Sequence, residues 1–496
     1  DGMVFAAPLV LSNVTIPGKG THAHVVFVCT ENDSVYAFDA DSNTGVNAAP
    51  LWNTNFTNPA AGITAFPTAD IAAGSTGPYT GITGTPVIDP ATSTMFLVTK
   101  IKIANGGNPI YEQQLHALNI HTGMEQPGSP VLIRATVFGS GDGSAGGLLP
   151  FDALHELQRP GLLLNNGMVY AAFGSHADTS PYHGWLLGYN EYSLTRSTTV
   201  VSTPNAGLGG IWMAGAGPAA DAYNNIYLET GNGLFDANTG GKDYGDTFMK
   251  INATSPAGRL ADFFTPHDQA FMDAADVDLG SGGCIVLPDQ VGSSLHTHLL
   301  VGGGKEGEIY LLDRSNLGHY HEGTDFQAVQ EIPGAGTGGY WSSPAFLFTD
   351  PTGVSHINPF THLPTPTGTL YYNGVGDVLK AYSIGGGQLS STPIAQAASP
   401  IQYPGATPVL SASESAPGST PANGIVWLIE NSSTGAAVLH AYNAGTLAEL
   451  YNSTMAAASR DAMDGYVTFS APTVAYGKVF AGTVDSVTVF GLNGAG

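Results

Sequence analysis

Short apolar runs, alternating with polar residues and closed by polar turns, recur along the whole chain. One pattern repeats eight times: a small or polar residue, an apolar alternation ending in an aromatic residue or Leu, and a turn. The copies are DSVYAFDA (33–40), QQLHALNI (113–120), HGWLLGYN (183–190), GDTFMKIN (245–252), GEIYLLDR (307–314), GDVLKAYS (376–383), AAVLHAYN (436–443) and DSVTVFGL (485–492). Ahead of each lies a second apolar run, such as VVFVCTE, TMFLVTK or NIYLETG. Ahead of that comes a third, opened by Pro8, Pro86, Pro160, Pro218, Pro344, Pro408 or Pro472, with Gly283 in that place in the fifth repeat.

Period-2 alternation bounded by turn residues predicts strands, and proline at a strand's first residue removes no ladder hydrogen bond. No long 3.6-residue stripe is present. Three or four short antiparallel strands, repeated every 50–80 residues, are the signature of a propeller blade. The expectation is an all-β fold: one eight-bladed β-propeller of four-stranded antiparallel blades, occupying 1–496 as a single domain. The eighth repeat stops after its third strand, so the last blade is expected to be incomplete within this segment. An upstream segment completes it, or it keeps an open edge that could pair with another chain.

Composition narrows the function. The 496 residues carry 14 Lys+Arg against 39 Asp+Glu, a formal net charge of -25. That leaves no basic surface for a phosphate backbone and argues against nucleic acid or an anionic membrane as partner. No apolar run reaches the length of a membrane span. The 66 Gly and 32 Pro, without a collagen period, imply many turns. Cys29 and Cys284 sit in separate apolar stretches and read either as two buried thiols or as one disulfide. Six Asn-X-Ser/Thr sequons, at Asn13, Asn32, Asn55, Asn252, Asn431 and Asn452, join the low Lys content and acidic balance in pointing to a secreted, N-glycosylated protein.

Several segments resemble the quinoprotein (pyrroloquinoline-quinone) dehydrogenase propellers. AFDADSNTG followed by Leu51-Trp52 resembles their tryptophan-docking repeat, with Asp39, Thr44, Gly45 and Trp52 at its positions, and repeat two keeps Thr122-Gly123. NIYLETGNG is similar to the segment with the calcium-ligating Asn, which implies that role for Asn232. FGSHADTSPYHGWLLGYN resembles the segment of the acidic metal ligand, near which Asp178 falls one residue out of register. Ala275-Asp276-Val277-Asp278 resembles the segment of the catalytic base, implying Asp276 for that role and Asp278 for a further metal contact. GGGKEGEIYLLDR resembles the strand whose cation meets the quinone oxygens, placing Lys305 there. GGIWMAGAG puts Trp212 near the indole that stacks under the cofactor.

The departures matter as well. The family's vicinal cysteine pair is absent, and there is no C-x-x-C-H for a covalent haem. A quinone with three carboxylates would meet a chain of charge -25 with few cations beyond Lys305, Arg159 and Arg314. Two functions therefore stand. One is an extracellular binding or assembly module without cofactor, self-associating through the edge of blade eight. The other is a pyrroloquinoline-quinone- and calcium-dependent alcohol or sugar dehydrogenase.

Other clusters read as structural. The pairs His22/His24, His296/His298 and His319/His321 share strand faces and could hold Cu or Zn with a third ligand, but lone pairs of this kind read first as polar strand or loop faces. GSGDGSAGG (139–147) lacks the Lys-Ser/Thr of a phosphate loop and reads as a flexible connection. HADTSPYHG has no nucleophile elbow beside it, which argues against a serine hydrolase. Arg159 and Arg460 read as inter-blade partners of carboxylates.

Overall fold

The computed structural model describes residues 1–71, 77–254, 258–350, 365–412 and 424–491. Leu492, the last residue of the eighth repeat core, lies outside them. The chain builds two compact units, one from 1–210 with 464–496 and the other from 211–463. The fold is that of an eight-bladed β-propeller, each blade a small antiparallel sheet whose central strands pair in chain order.

The first unit holds blades one, two, three and eight. Blade one runs Leu9–Ile16, Gly20–Cys29, Ser34–Asp39 and Trp52–Asn55. The central strands of blade two are Thr94–Ile103 and Ile110–Asn119, and those of blade three are Met168–Ser175 and Trp185–Asn190. Blade eight has three strands: Thr473–Ala475, Lys478–Gly482 and Val487–Gly491.

The second unit holds blades four to seven. Their central pairs are Asn225–Glu229 with Phe248–Asn252, Leu299–Gly302 with Ile309–Asp313, Thr367–Tyr372 with Asp377–Gly385, and Ile425–Asn431 with Ala437–Asn443. The second and third strands of each repeat are thus the apolar runs of the sequence. Many of them are apolar on both faces because neighbouring sheets cover both. In Met168–Ser175 seven consecutive residues are buried.

The third strand ends on a recurring polar device. Asn119 Oδ1 accepts from His121 N at 2.9 Å, Asn190 Oδ1 from Ser193 N at 2.9 Å, Asn252 Oδ1 from Thr254 N at 2.9 Å, and Asn443 Oδ1 from Gly445 N at 3.0 Å. Asp39 and Asp313 do the same for Asp41 N and Ser315 N, both at 2.8 Å. The carboxyl or amide oxygen replaces the ladder partner that the turning backbone loses. This is why six of the eight repeats share a polar residue at that point.

Sheets are locked face to face by apolar clusters. Phe27, Val35 and Ala37 of blade one meet Met95, Leu97 and Leu118 of blade two. Trp52 adds a directional contact: its Nε1 donates to Ile120 O at 2.9 Å, and Thr54 Oγ1 donates to Gly123 O at 2.7 Å. Gly123 has φ +69°, and a Cβ there would lie 2.5 Å from the indole. The docking residues are therefore Trp52 of one blade and the Thr122-Gly123 turn of the next, whereas Thr44 and Gly45 stand exposed at the start of a short 3₁₀ turn. Cys29 and Cys284 are buried free thiols.

The 139–147 segment departs from the flexible connection expected. It joins Thr136–Phe138 to Leu148–Pro150 as a hairpin, and Asp142 N donates to Ala206 O at 2.7 Å. Among the described residues no helix is long and apolar enough to cross a membrane.

Replacing Trp52 by Ala is expected to destabilise the protein by about 3 kcal/mol through lost packing. Trp52→Phe, which loses chiefly the Nε1 hydrogen bond, should cost only about 1 kcal/mol. Urea unfolding of the two variants checks the order.

Candidate functional site

Four loops of the second unit carry the site. Gly231 and Asn232 follow the strand Asn225–Glu229. Asp276 stops the short helix Gln269–Ala275 in the left-handed conformation, φ +57°, with its N–H on Met272 O. Asp278 opens a 3₁₀ turn over Leu279–Ser281. Lys305 sits in the glycine-rich turn before Ile309–Asp313, where its N–H donates to Asp278 O at 2.9 Å.

Those loops bring five of the sequence-predicted residues into one locus. Lys305 Nζ lies 2.9 Å from Asp276 Oδ1 and 2.5 Å from Asp278 Oδ2. Asn232 Nδ2 donates to Asp276 Oδ1 at 2.8 Å, and Asn232 N donates to Asp278 Oδ1 at 2.8 Å. Trp212 closes the back: a Cβ on Gly231 would lie 2.7 Å from its Nε1 and 2.2 Å from Asp278 Oδ1. Only a glycine permits that approach. Asp178, by contrast, belongs to the first unit, where its Oδ1 accepts from the Tyr182 hydroxyl at 2.7 Å.

The two carboxylates differ in access. The side chain of Asp276 is 71 % exposed and that of Asp278 only 6 %. Asp276 is thus the group that can meet a substrate, while Asp278 holds Lys305 and the Asn232 backbone. Burial lowers the basicity of Lys305, but the Asp278 and Asp276 carboxylates outweigh it and hold the ammonium above its ordinary pKa. Asp246, fully buried beneath, accepts from Leu279 N at 3.1 Å, and burial with the charge of Asp278 pushes its pKa well up.

Two neighbours escaped the sequence reading. The Lys305 ammonium stands 4.9 Å from the centroid of the Trp341 ring, a cation–π contact. Trp341 precedes the sixth blade, and no spacing in the sequence distinguishes it. The second is an acidic group directly after Lys305. Burial and the charges of Asp268 and its neighbours raise Glu306 to about 7, Glu308 to about 8 and Glu331 to about 7.

For a hard divalent cation the donor chemistry fits. The Asn232 Oδ1 is buried with no hydrogen-bond partner among the described residues, and carboxylate oxygens stand on either side of the Lys305 ammonium. Among the described residues no trio of His, Cys, Asp or Glu side chains forms a metal cage. The donor set at this locus is two carboxylates and an amide.

The histidine pairs are used elsewhere. His22 binds Asp39 at 2.7 Å, His24 binds Asp41 at 3.0 Å, His296 binds Asp313 at 2.9 Å and His298 binds Asp289 at 2.8 Å. His319 stacks on Phe263 and His321 packs on Phe326. Arg460 pairs with Asp461, its neighbour in sequence, and not with a carboxylate across blades, and Arg159 lies 4.0 Å from the Phe469 ring. Among the sequons, Asn55, Asn252 and Asn452 each accept from the Thr hydroxyl two places on, at 2.5, 2.7 and 2.6 Å, so the motif doubles as a turn. Asn13 is exposed, with φ +56°.

The acidic group makes stability depend on pH. Carboxyls with folded pKa values raised above the ordinary 4.5 favour folding most below that pH, and the advantage is lost as pH rises to about 7–8. His267, whose pKa the hydrogen bond to Asp325 raises, acts in the same direction. The melting temperature is expected to be higher at pH 5 than at pH 8, and Glu308→Gln should narrow the gap by raising the value at pH 8. Equal melting temperatures would contradict the assignment.

No family model matches the chain, and no curated protein matches it. Solved structures do. The quinohemoprotein alcohol dehydrogenase ADHIIG from Pseudomonas putida HK5 aligns with TM-score 0.51 and 13% identity, over 97% of this chain and 70% of its own. The quinohemoprotein alcohol dehydrogenase from Comamonas testosteroni aligns with TM-score 0.48 and 14% identity, over 98% and 74%. At such identity the likeness is one of architecture: this chain is an eight-bladed β-propeller of the quinoprotein-dehydrogenase-like fold.

Proposed function

We propose that this chain is a secreted, N-glycosylated oxidoreductase that oxidises a hydroxyl-bearing substrate at the Asp276–Lys305 locus, with a pyrroloquinoline-type quinone and calcium. The observation that carries the reading is the Lys305 ammonium set between Asp276 and Asp278, with Asn232 bound to both carboxylates. Bound there, the quinone would accept the hydride released by the substrate carbon, and calcium would polarise its carbonyl. Asn232 Oδ1 and the Asp278 carboxylate are the candidate holders of the cation.

The chain's own residues supply the proton chemistry. Asp276, exposed and held in one orientation by Lys305 and Asn232, takes the proton of the substrate hydroxyl. Asp278, buried and doubly engaged, keeps Lys305 and the Asn232 loop in place. The Trp212 indole, buried behind Gly231, shapes the back of the locus.

Reconstitution with pyrroloquinoline quinone and CaCl2 should give bound-quinone absorbance and dye-linked oxidation of alcohols or aldoses. Asp276→Asn should retain the absorbance and lose the turnover by about 10²-fold or more. Absence of both bound quinone and turnover defeats the proposal.

A second reading rests on blade eight. Its outer strand Val487–Gly491 has no partner on its far side among the described residues, and Val489 is 44% exposed. Such an edge suits pairing with a second copy of the chain. Sedimentation should then show association that increases with concentration and is abolished by Val489→Lys; a monomer at every concentration rejects it.

A further inference from the structure

In the first unit, buried polar side chains from two blades close on one short segment, residues 81–84, which leads into blade two. Glu31 and Asp33 lie in the turn between Gly20–Cys29 and Ser34–Asp39 of blade one. Gln158 follows Glu156–Leu157, the short strand that pairs with Met168–Ser175 of blade three. Glu31 Oε2 accepts from Gly81 N at 2.6 Å and from Thr83 Oγ1 at 3.1 Å, and Asp33 Oδ1 accepts from Lys100 N at 3.3 Å. A Cβ on Gly81 would lie 2.8 Å from Asp33 Oδ1 and 2.7 Å from Glu31 O, and one on Gly84 would collide with Gln158 Oε1. Both glycines are therefore needed for the approach.

Each of the three side chains keeps one oxygen unused. Glu31 Oε1, Asp33 Oδ2 and Gln158 Oε1 are buried with no hydrogen-bond partner among the described residues. The residues themselves are 2, 0 and 4 % exposed. Gln158 Nε2 donates to Pro160 O, so its oxygen is an acceptor whatever charge the two carboxyls carry. Unmet acceptors in a buried place are costly, and the guest that satisfies them is a donor or a cation.

The surrounding charges favour the cation. Lys100 approaches Asp33 by its backbone, but its ammonium is committed elsewhere. Nζ donates to Leu154 O and Glu156 O at 2.8 Å each, meets His176 Nε2 at 2.6 Å and stands 4.3 Å from the Phe66 centroid. Arg159, next to Gln158, lays its guanidinium on the Phe469 ring at 4.0 Å. Glu156 directs Oε1 to His183 N and Trp185 Nε1. The segment 81–84 reads Gly-Ile-Thr-Gly and brings no charge. Burial raises the pKa of Glu31 to about 7; at Asp33 burial acts first and the charge of Glu31 adds to it. A cation displaces any proton the pair holds and removes the cost of burying two acids together.

The donors select the kind of ion. They are carboxylate and amide oxygens with the Thr83 hydroxyl beside them, and no nitrogen or sulfur joins them. Such a set suits a hard cation, and an enclosed place suits calcium better than magnesium, which gives up its waters reluctantly.

We infer that Glu31, Asp33 and Gln158 form a structural calcium site in the first unit. It is separate from the Asp276–Lys305 locus and does not depend on that locus holding a metal or being catalytic. Its burial makes the ion part of the folded core, so it reads out in metal content and in stability.

The full chain, desalted from CaCl2, should retain about one calcium per chain by elemental analysis when Asp278→Asn has disabled the other candidate site. Its melting temperature should be about 2 °C or more higher in CaCl2 than in EDTA. Glu31→Gln and Asp33→Asn should lose both the retained calcium and that difference. Gln158→Leu, which keeps the two carboxyls, should melt in EDTA at least as high as the unaltered chain and gain less from calcium. The inference is overturned if the unaltered chain melts alike in CaCl2 and EDTA and retains no calcium, the outcome expected if water fills the place. It is equally overturned if Asp278→Asn removes all the calcium, or if Glu31→Gln and Gln158→Leu both keep the full calcium-dependent difference.

Discussion

No sheet of three or four short strands can bury two apolar faces by itself, and the rest of this structure follows from that constraint. Each blade is stable because the next one covers it, so its central strands are apolar on both sides. Non-directional burial leaves the relative placement of two sheets loosely specified. Trp52 removes that freedom between blades one and two by hydrogen bonding across the interface and filling the space that Gly123 leaves open. At the far end of the third strands, the Asn and Asp turns satisfy backbone donors that the ladder abandons. Packing is thus general, and the polar contacts at the rim decide register.

A second constraint governs the chemistry. The chain has 14 basic residues, and the Asp276 locus uses one of them, Lys305, to hold two carboxylates at once. An ammonium shared in this way divides the pair by function: one carboxylate is buried and occupied, the other oriented and open to solvent. The acidic side chains that follow Lys305 in sequence then crowd together. Their raised pKa values come first from burial and then from the charges of Asp268, Asp325 and one another.

Much of the fold was legible in the sequence because its signals are local and repeated. Alternation, strand-opening prolines and turn-closing Asn or Asp each act within a few residues, and eight copies make the pattern unmistakable. The candidate site was legible where short segments carried it: Asn232, Asp276, Asp278, Lys305 and Trp212 do share one locus. Asp178 does not share their unit. Trp341 and the Glu306–Glu308–Glu331 group were invisible: Trp341 precedes the sixth blade while Lys305 belongs to the fifth, and the three glutamates meet only through the pairing of Ile309–Asp313 with Gln330–Ile332 inside blade five. The sequons illustrate the opposite case, in which a motif seen as a modification signal also forms a turn at Asn55, Asn252 and Asn452.

By itself the sequence determined the blade count, the strand identities and the acidic character of the surface, because periodicity and composition are properties of neighbouring residues and of totals. Only the tertiary structure decided that Cys29 and Cys284 are separate buried thiols, that Trp52 docks on the turn of the following blade, and that Asp276 rather than Asp278 faces solvent. It also decided where burial leaves an oxygen such as Asn232 Oδ1 without a partner among the described residues. Access, burial and unmet hydrogen bonds arise from which sheets come together, and that information is absent from any single stretch of chain.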